Sequence, residues 1–167
     1  DVDFELIHKQ TQQLYQMESE LNHEVETLQK RIQQSARNHI ISEFGEGPVQ
    51  VILELDFGPN TSGPNHIHIL LWHDTPHAAW TWLEQIGRHV WDGAHFDWQQ
   101  GHILDALPQK ADPGGGKVEF VEQSIHGHEA WTVGLRESDT GMLSIYVNLQ
   151  DNTSIHKHET CVGKVID

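Results

Sequence analysis

From Phe4 to about Ile32 the apolar residues keep a seven-residue beat. Ile7, Leu14, Leu21 and Leu28 fall at one seam position, and Phe4, Val25 and Ile32 fall at the other. Such a beat lays one narrow apolar stripe along a long helix, which is the pattern of a coiled-coil seam. Thr11 and Glu18 interrupt the second position, while the Gln, Glu and Lys residues around the stripe are good helix formers, and no Gly or Pro occurs through Ile41. Leucine at one position with β-branched residues at the other favours two parallel strands, so a homodimer through this helix is one expectation. A single amphipathic helix laid back on its own domain would carry the same stripe, and is the other.

Glu43-Phe44-Gly45-Glu46-Gly47-Pro48 then punctuates the chain, because two glycines and a proline end a helical pattern. This divides the chain into a coiled-coil helix over 1–42 and a domain over 43–167. Val49 to Leu55 has apolar residues at every odd position, as a largely buried strand would. After the turn-rich loop from Phe57 to Asn65, His66 to Trp72 reads as a second strand, and the two make a hairpin. Thr75-Pro76 predicts a helix start with a hydroxyl N-cap, followed by a core-facing stripe of Ala79, Leu83, Ile86 and Val90. Beyond Trp91 the pattern is of short strands and turns, with Asp112-Pro113-Gly114-Gly115-Gly116 as a flexible connection. Trp131–Leu135 and Leu143–Leu149 are the clearest late strands. The order predicts a mainly β fold.

Composition narrows the partners. The 167 residues hold 37% hydrophobic side chains and six tryptophans, enough for one sizeable core. With 25 acidic against 10 basic residues the formal charge is −15, which repels phosphate backbones and anionic lipid headgroups. Nucleic acid and bare membrane are therefore not expected partners, and no apolar run reaches the roughly 20 residues that a spanning helix needs.

Four stretches carry a resemblance to the cyclophilins. They are Thr75-Pro76-His77-Ala78-Ala79 with Trp82, Trp91-Asp92-Gly93-Ala94-His95-Phe96, Trp131-Thr132-Val133-Gly134-Leu135, and Gly163-Lys164-Val165. In order and spacing they are similar to the first helix and three strand motifs of that family. The resemblance implies a closed β-barrel with flanking helices, here behind the coiled-coil helix. It also implies a groove for proline-containing peptides or proteins.

The groove's polar residues are mostly replaced. Phe96 keeps its type, but the histidine and arginine that should follow it are Asp97 and Trp98. One expected glutamine falls near Asp105 and another at Ser144. The paired aromatics become Ile145 and Tyr146, and the tryptophan, leucine and histidine of a later motif become Ser154, Ile155 and Glu159. The resemblance thus implies a peptide-binding set of Phe96, Trp98, Asp105, Ser144, Tyr146, Ile155 and Glu159, and no retained catalytic residue. Turning a prolyl amide requires donors placed where its charge shifts, and one such donor is worth about 2.7–4 kcal/mol. The expectation is a binding module with weak or absent isomerase activity, the alternative being a divergent active isomerase.

Other chemistry in the sequence is thin. Three His-x-His pairs, His66/His68, His126/His128 and His156/His158, could each turn two imidazoles to one strand face, yet 14 histidines produce such pairs without a metal. No metal and no cofactor is expected. Gly114-Gly115-Gly116-Lys117 lacks the spacing of a phosphate loop, and Cys161, the single cysteine, reads as a small buried hydrophobe. Asn60-Thr61-Ser62 and Asn152-Thr153-Ser154 fit the N-glycosylation pattern, which would suit a secretory-pathway lumen.

Overall fold

A computed structural model describes residues 4–59, 65–99, 101–110, 112, 114–138 and 141–167. The first element is a single helix, α1 (Phe4–Phe44). It stops where Gly45 takes φ +85° while its N–H still bonds to Ile41 O, a left-handed closure that a residue without Cβ adopts at little cost. Then come β1 (Gln50–Glu54), β2 (His66–Leu71), α2 (Pro76–Gly87), β3 (His95–Gln99), β4 (Ile103–Leu107), β5 (Thr132–Glu137), β6 (Leu143–Asn148) and β7 (Thr160–Val165).

The seven strands form one antiparallel sheet in the order β1-β2-β7-β5-β6-β4-β3. The expected hairpin is there, with Val51 in register with Ile69. The expected closure is not part of this order. It is linear, and among the described residues no ladder joins β1 to β3, so the sheet is a half-barrel with β1 and β3 at its ends.

Alternation along the strands gives the sheet two unlike faces. Val51, Ile69, Leu71, Val133, Leu135, Leu143, Ile145, Val147 and Val162 form one apolar face, which packs against Ala78, Ala79, Trp82 and Leu83 of α2. The residues between them on β4, β5 and β6 are Asp105, Thr132, Gly134, Arg136, Ser144, Tyr146 and Asn148, and these point the other way.

α1 serves two environments. Its last third lies on the domain: Ala36 is buried, Ile40 packs on the core, His39 stacks on Trp80 at 5.1 Å, and Arg37 Nη2 donates to His73 O at 2.9 Å. The seam residues Phe4 to Leu28 remain exposed. The fold-back alternative therefore describes only the C-terminal end of this helix. None of the described helices is long and apolar enough to cross a membrane.

Two local expectations are corrected. The Thr75 hydroxyl makes no capping bond; the N-terminus of α2 is instead capped by Glu122, whose carboxylate accepts from His77 N at 3.2 Å and Ala78 N at 2.7 Å. Asp112, Gly114 and Gly116 of the expected flexible connection are tied together and to Arg88. The Asp112 carboxylate takes Arg88 Nε at 3.1 Å and Nη2 at 2.9 Å, together with the N–H groups of Gly114 and Gly116. A side chain at Gly114 would collide with the Arg88 guanidinium, which accounts for the glycine.

Candidate functional site

The polar face of the sheet is organised around Tyr146. On β4, β6 and β5 the residues Asp105, Tyr146 and Gly134 stand in one register row, and Ser144 stands opposite Arg136 in the next. The phenol end of Tyr146 lies directly over Gly134, where a Cβ would collide with Cζ and the hydroxyl oxygen. Tyr146 is 0% exposed and Ser144 1%.

Around the Tyr146 ring most polar groups have a neighbour of matching type, while His156 Nε2 is buried without a hydrogen-bond partner among the described residues. Asp105 accepts a short hydrogen bond from the Ser144 hydroxyl and pairs with Arg136 Nη2 at 2.9 Å. The Arg136 guanidinium carbon lies 5.3 Å from the centre of the Tyr146 ring, within cation–π range. On the other side the Tyr146 hydroxyl meets His128 Nδ1 at 3.3 Å, and His128 Nε2 meets Glu159 O at 3.1 Å. Because a carbonyl can only accept, Nε2 carries the proton and Nδ1 accepts from the phenol. Burial pushes the Tyr146 phenol well above its usual range, with Glu159 adding to the rise, so it stays a neutral donor.

The strap between β6 and β7 closes this cluster from above. Asn152 Nδ2 donates to Asn148 Oδ1 at 2.8 Å and to His102 O at 3.0 Å, and Asn148 Nδ2 donates to Thr132 Oγ1 at 3.0 Å. His156, from the same strap, sits 4.8 Å from the Tyr146 ring, with its Nδ1 3.1 Å from Glu159 Oε2. These contacts bury Asn152 completely, so its amide has no room for a glycan in the folded protein. The other glycosylation pattern, at Asn60, lies outside the described residues. His128 and His156 come from different His-x-His pairs and stand 5.7 Å apart. Among the described residues no group of three or more His, Cys, Asp or Glu side chains is arranged to hold a metal. Cys161 is buried and its thiol is pushed up by burial.

The residues matched through the resemblance separate into those the fold gathers and those it does not. Asp105, Ser144, Tyr146 and Glu159 come together. Ile155 is on the strap above them and 59% exposed, while Phe96 turns to the apolar face and packs on the core. Trp98 stands in register with Leu104, and its side chain lies outside the described residues; the β3 residue in the row of Asp105 and Tyr146 is Asp97. Alternation along the strand therefore sets Asp97 on the side opposite Phe96, with Asp105 and Tyr146. Sequence reasoning missed Arg136, which puts a guanidinium on this face from β5, and it missed His128, Asn148 and His156. The alternation Thr132, Gly134, Arg136 was the available signal for Arg136.

Burial lowers the His128 imidazole below the ordinary value of 6.5. The Glu159 carbonyl and carboxylate oppose this, and the His156 ring adds to it. An unfolded chain therefore takes up the proton first as the solution is acidified. Stability held by neutral His128 is complete above about pH 6.5 and is lost as the pH falls below it. A urea midpoint measured at pH 7.5 and 5.5 should drop on acidification, and drop less in His128→Gln; equal drops in both proteins would contradict this.

Comparison with known proteins bears on the fold. No protein-family model matches the chain, and none of the curated proteins matches it. Among solved structures it is similar to the cyclophilin-type peptidyl-prolyl cis-trans isomerase of Cryptosporidium parvum. The TM-score is 0.52 both for that enzyme crystallised with the dipeptide Ala-Pro and for the same enzyme without it. Identity is 11% and 12%, and the match covers 62% of this chain and 73% and 72% of those chains. The fold of the chain is therefore cyclophilin-like.

Proposed function

We propose that the chain is a cyclophilin-like module that binds a protein or a proline-containing peptide, with weak or absent prolyl isomerase activity, and that it pairs with a second copy through α1. One observation carries the first part: the floor of the candidate groove is occupied by the chain's own side chains. Tyr146 and Ser144 have no usable surface, and Asp105 is engaged by both Ser144 and Arg136. A peptide would lie across the rim formed by Asp97, Arg136, Ile155 and Glu159, without reaching a preorganised donor beneath it.

Titration of a labelled proline peptide tests the binding. Ile155→Asp alters an exposed position and leaves the packed cluster intact, so it should weaken affinity about tenfold, equivalent to about 1.4 kcal/mol. Unchanged affinity, or no binding by the unmodified chain, would overturn the reading. A specific observation favours the alternative of a divergent isomerase: the Arg136 side chain is 30% exposed, and only one of its nitrogens is given to Asp105. Under that alternative, turnover would be measurable and would vanish in Arg136→Ala.

A further inference from the structure

The exposed part of α1 carries more information than its apolar beat. Phe4, Ile7, Leu14, Leu21, Val25 and Leu28 are 45–79% exposed, a row of large side chains that no other part of the described chain covers. From Gln29 onward a different set of residues faces the chain's own domain: Gln29, Ile32 and Gln33 are half-buried, Ala36 is buried, and Ile40 packs on the core. At 3.6 residues per turn, the docked side at Ala36 is rotated from the seam at Leu28 by roughly a quarter of the circumference. The domain therefore leaves the seam open and ends the exposed length at about residue 28.

We propose that this seam is covered by a second copy of the chain running antiparallel, with residue 4 of one helix beside residue 28 of the other. The inference rests on the pairing put forward above and deepens it by fixing orientation and register. Antiparallel packing sets each residue of one seam position against the other position on the facing helix. In this register Phe4 meets Leu28 of the second copy, Ile7 meets Val25, Thr11 meets Leu21, and Glu18 meets Leu14. Every exposed seam residue from Phe4 to Leu28 is used, and the overlap ends where each domain begins.

The parallel arrangement suggested by the leucine and β-branched pattern alone meets two obstacles. It sets Glu18 beside Glu18 of the second copy, two like charges in a seam from which water is largely excluded. It also brings both domains to the same end, beside the docked thirds of both helices. The antiparallel register avoids both, and holds the two modules apart across about 25 residues of helix, on the order of 37 Å. Two peptide-binding faces at that spacing suit a partner carrying two motifs, for which the second contact becomes intramolecular.

Sedimentation of the unmodified chain should give a dimer, and small-angle scattering should give a pair-distance curve with a second maximum from the separated modules. Orientation is then read by cysteine cross-linking, for which the buried Cys161 is a quiet background. Leu14→Cys and Glu18→Cys proteins, mixed and oxidised, should cross-link to each other, while Leu14→Cys alone should not, since its two copies are offset by four residues. A dimer in which Leu14→Cys links to itself, or whose scattering has a single compact maximum, overturns the antiparallel register while leaving pairing intact. A monomer in sedimentation overturns the pairing itself.

Discussion

Glu122→Ala is expected to lower the stability of the domain by about 3–4 kcal/mol, and to loosen α1 from α2 at the same time. Glu122 is 2% exposed, and its carboxylate accepts from the first N–H groups of α2 and from Gln33 Nε2 of α1 at 3.0 Å. Its own N–H donates to Thr160 Oγ1 at the start of β7. Alanine would leave two buried helix-end donors without a partner, at about 1–3 kcal/mol each, and would remove the negative charge that the N-terminus of a helix favours. The Thr75 hydroxyl makes no capping bond to these N–H groups. Urea unfolding should show the full loss in Glu122→Ala and a partial loss in Glu122→Gln, which keeps an acceptor. A change below 1 kcal/mol in the alanine variant would show that the cap is not structural.

Gly134→Ala is the second large effect, expected at about 3 kcal/mol, the upper end of what overpacking a filled interior costs. The new methyl would overlap the Cζ and hydroxyl oxygen of Tyr146. Tyr146 cannot swing away, because Arg136, His128 and His156 surround it and its hydroxyl is tied to His128. The strap carrying Asn152 and His156 should lift with the ring. Amide exchange at Asn152 and His156 should therefore accelerate more than exchange in β1 and β2. Uniform acceleration across the sheet would mean that the ring is not the keystone of this face.

Both effects come from contacts that sequence spacing does not report. Periodic elements were legible: the heptad beat gave α1, the odd-position apolar run gave β1, and the late β-branched and aromatic runs gave β5 and β6 within a residue or two. The turn glycine at Gly45 marked the end of the helix for a reason that the structure repeats, a positive φ. Glu122 could not be read as a cap because it lies more than 40 residues from the N–H groups it satisfies. A hydroxyl beside a proline offered a local answer that the fold does not use.

The candidate site was legible in part for the same reason. Asp105, Ser144 and Tyr146 lie on strands whose alternation fixes their face, so matching their spacing brought them together. Asp97, which the resemblance set beside Trp98, is the β3 residue in the row of Asp105 and Tyr146, a placement that register and not motif spacing reports. Arg136, His128 and His156 reach the cluster from three separate segments, and only the folded chain places them side by side. Closure of the barrel was inherited from the resemblance, and the strand order, linear from β1 to β3, does not contain it.

Whether a guanidinium engaged by Asp105, above a fully buried tyrosine, leaves any surface that can twist a prolyl amide decides between binding and catalysis. A protease-free assay of proline isomerisation, following cis and trans peptide signals directly, tests this. Uncatalysed exchange takes about 10–100 s at room temperature. The predicted result is an exchange rate within about twofold of that background at micromolar protein, the same for the unmodified chain and for Arg136→Ala. Acceleration of a hundredfold or more that disappears in Arg136→Ala would contradict it, and would make Arg136 the working cation of an active site.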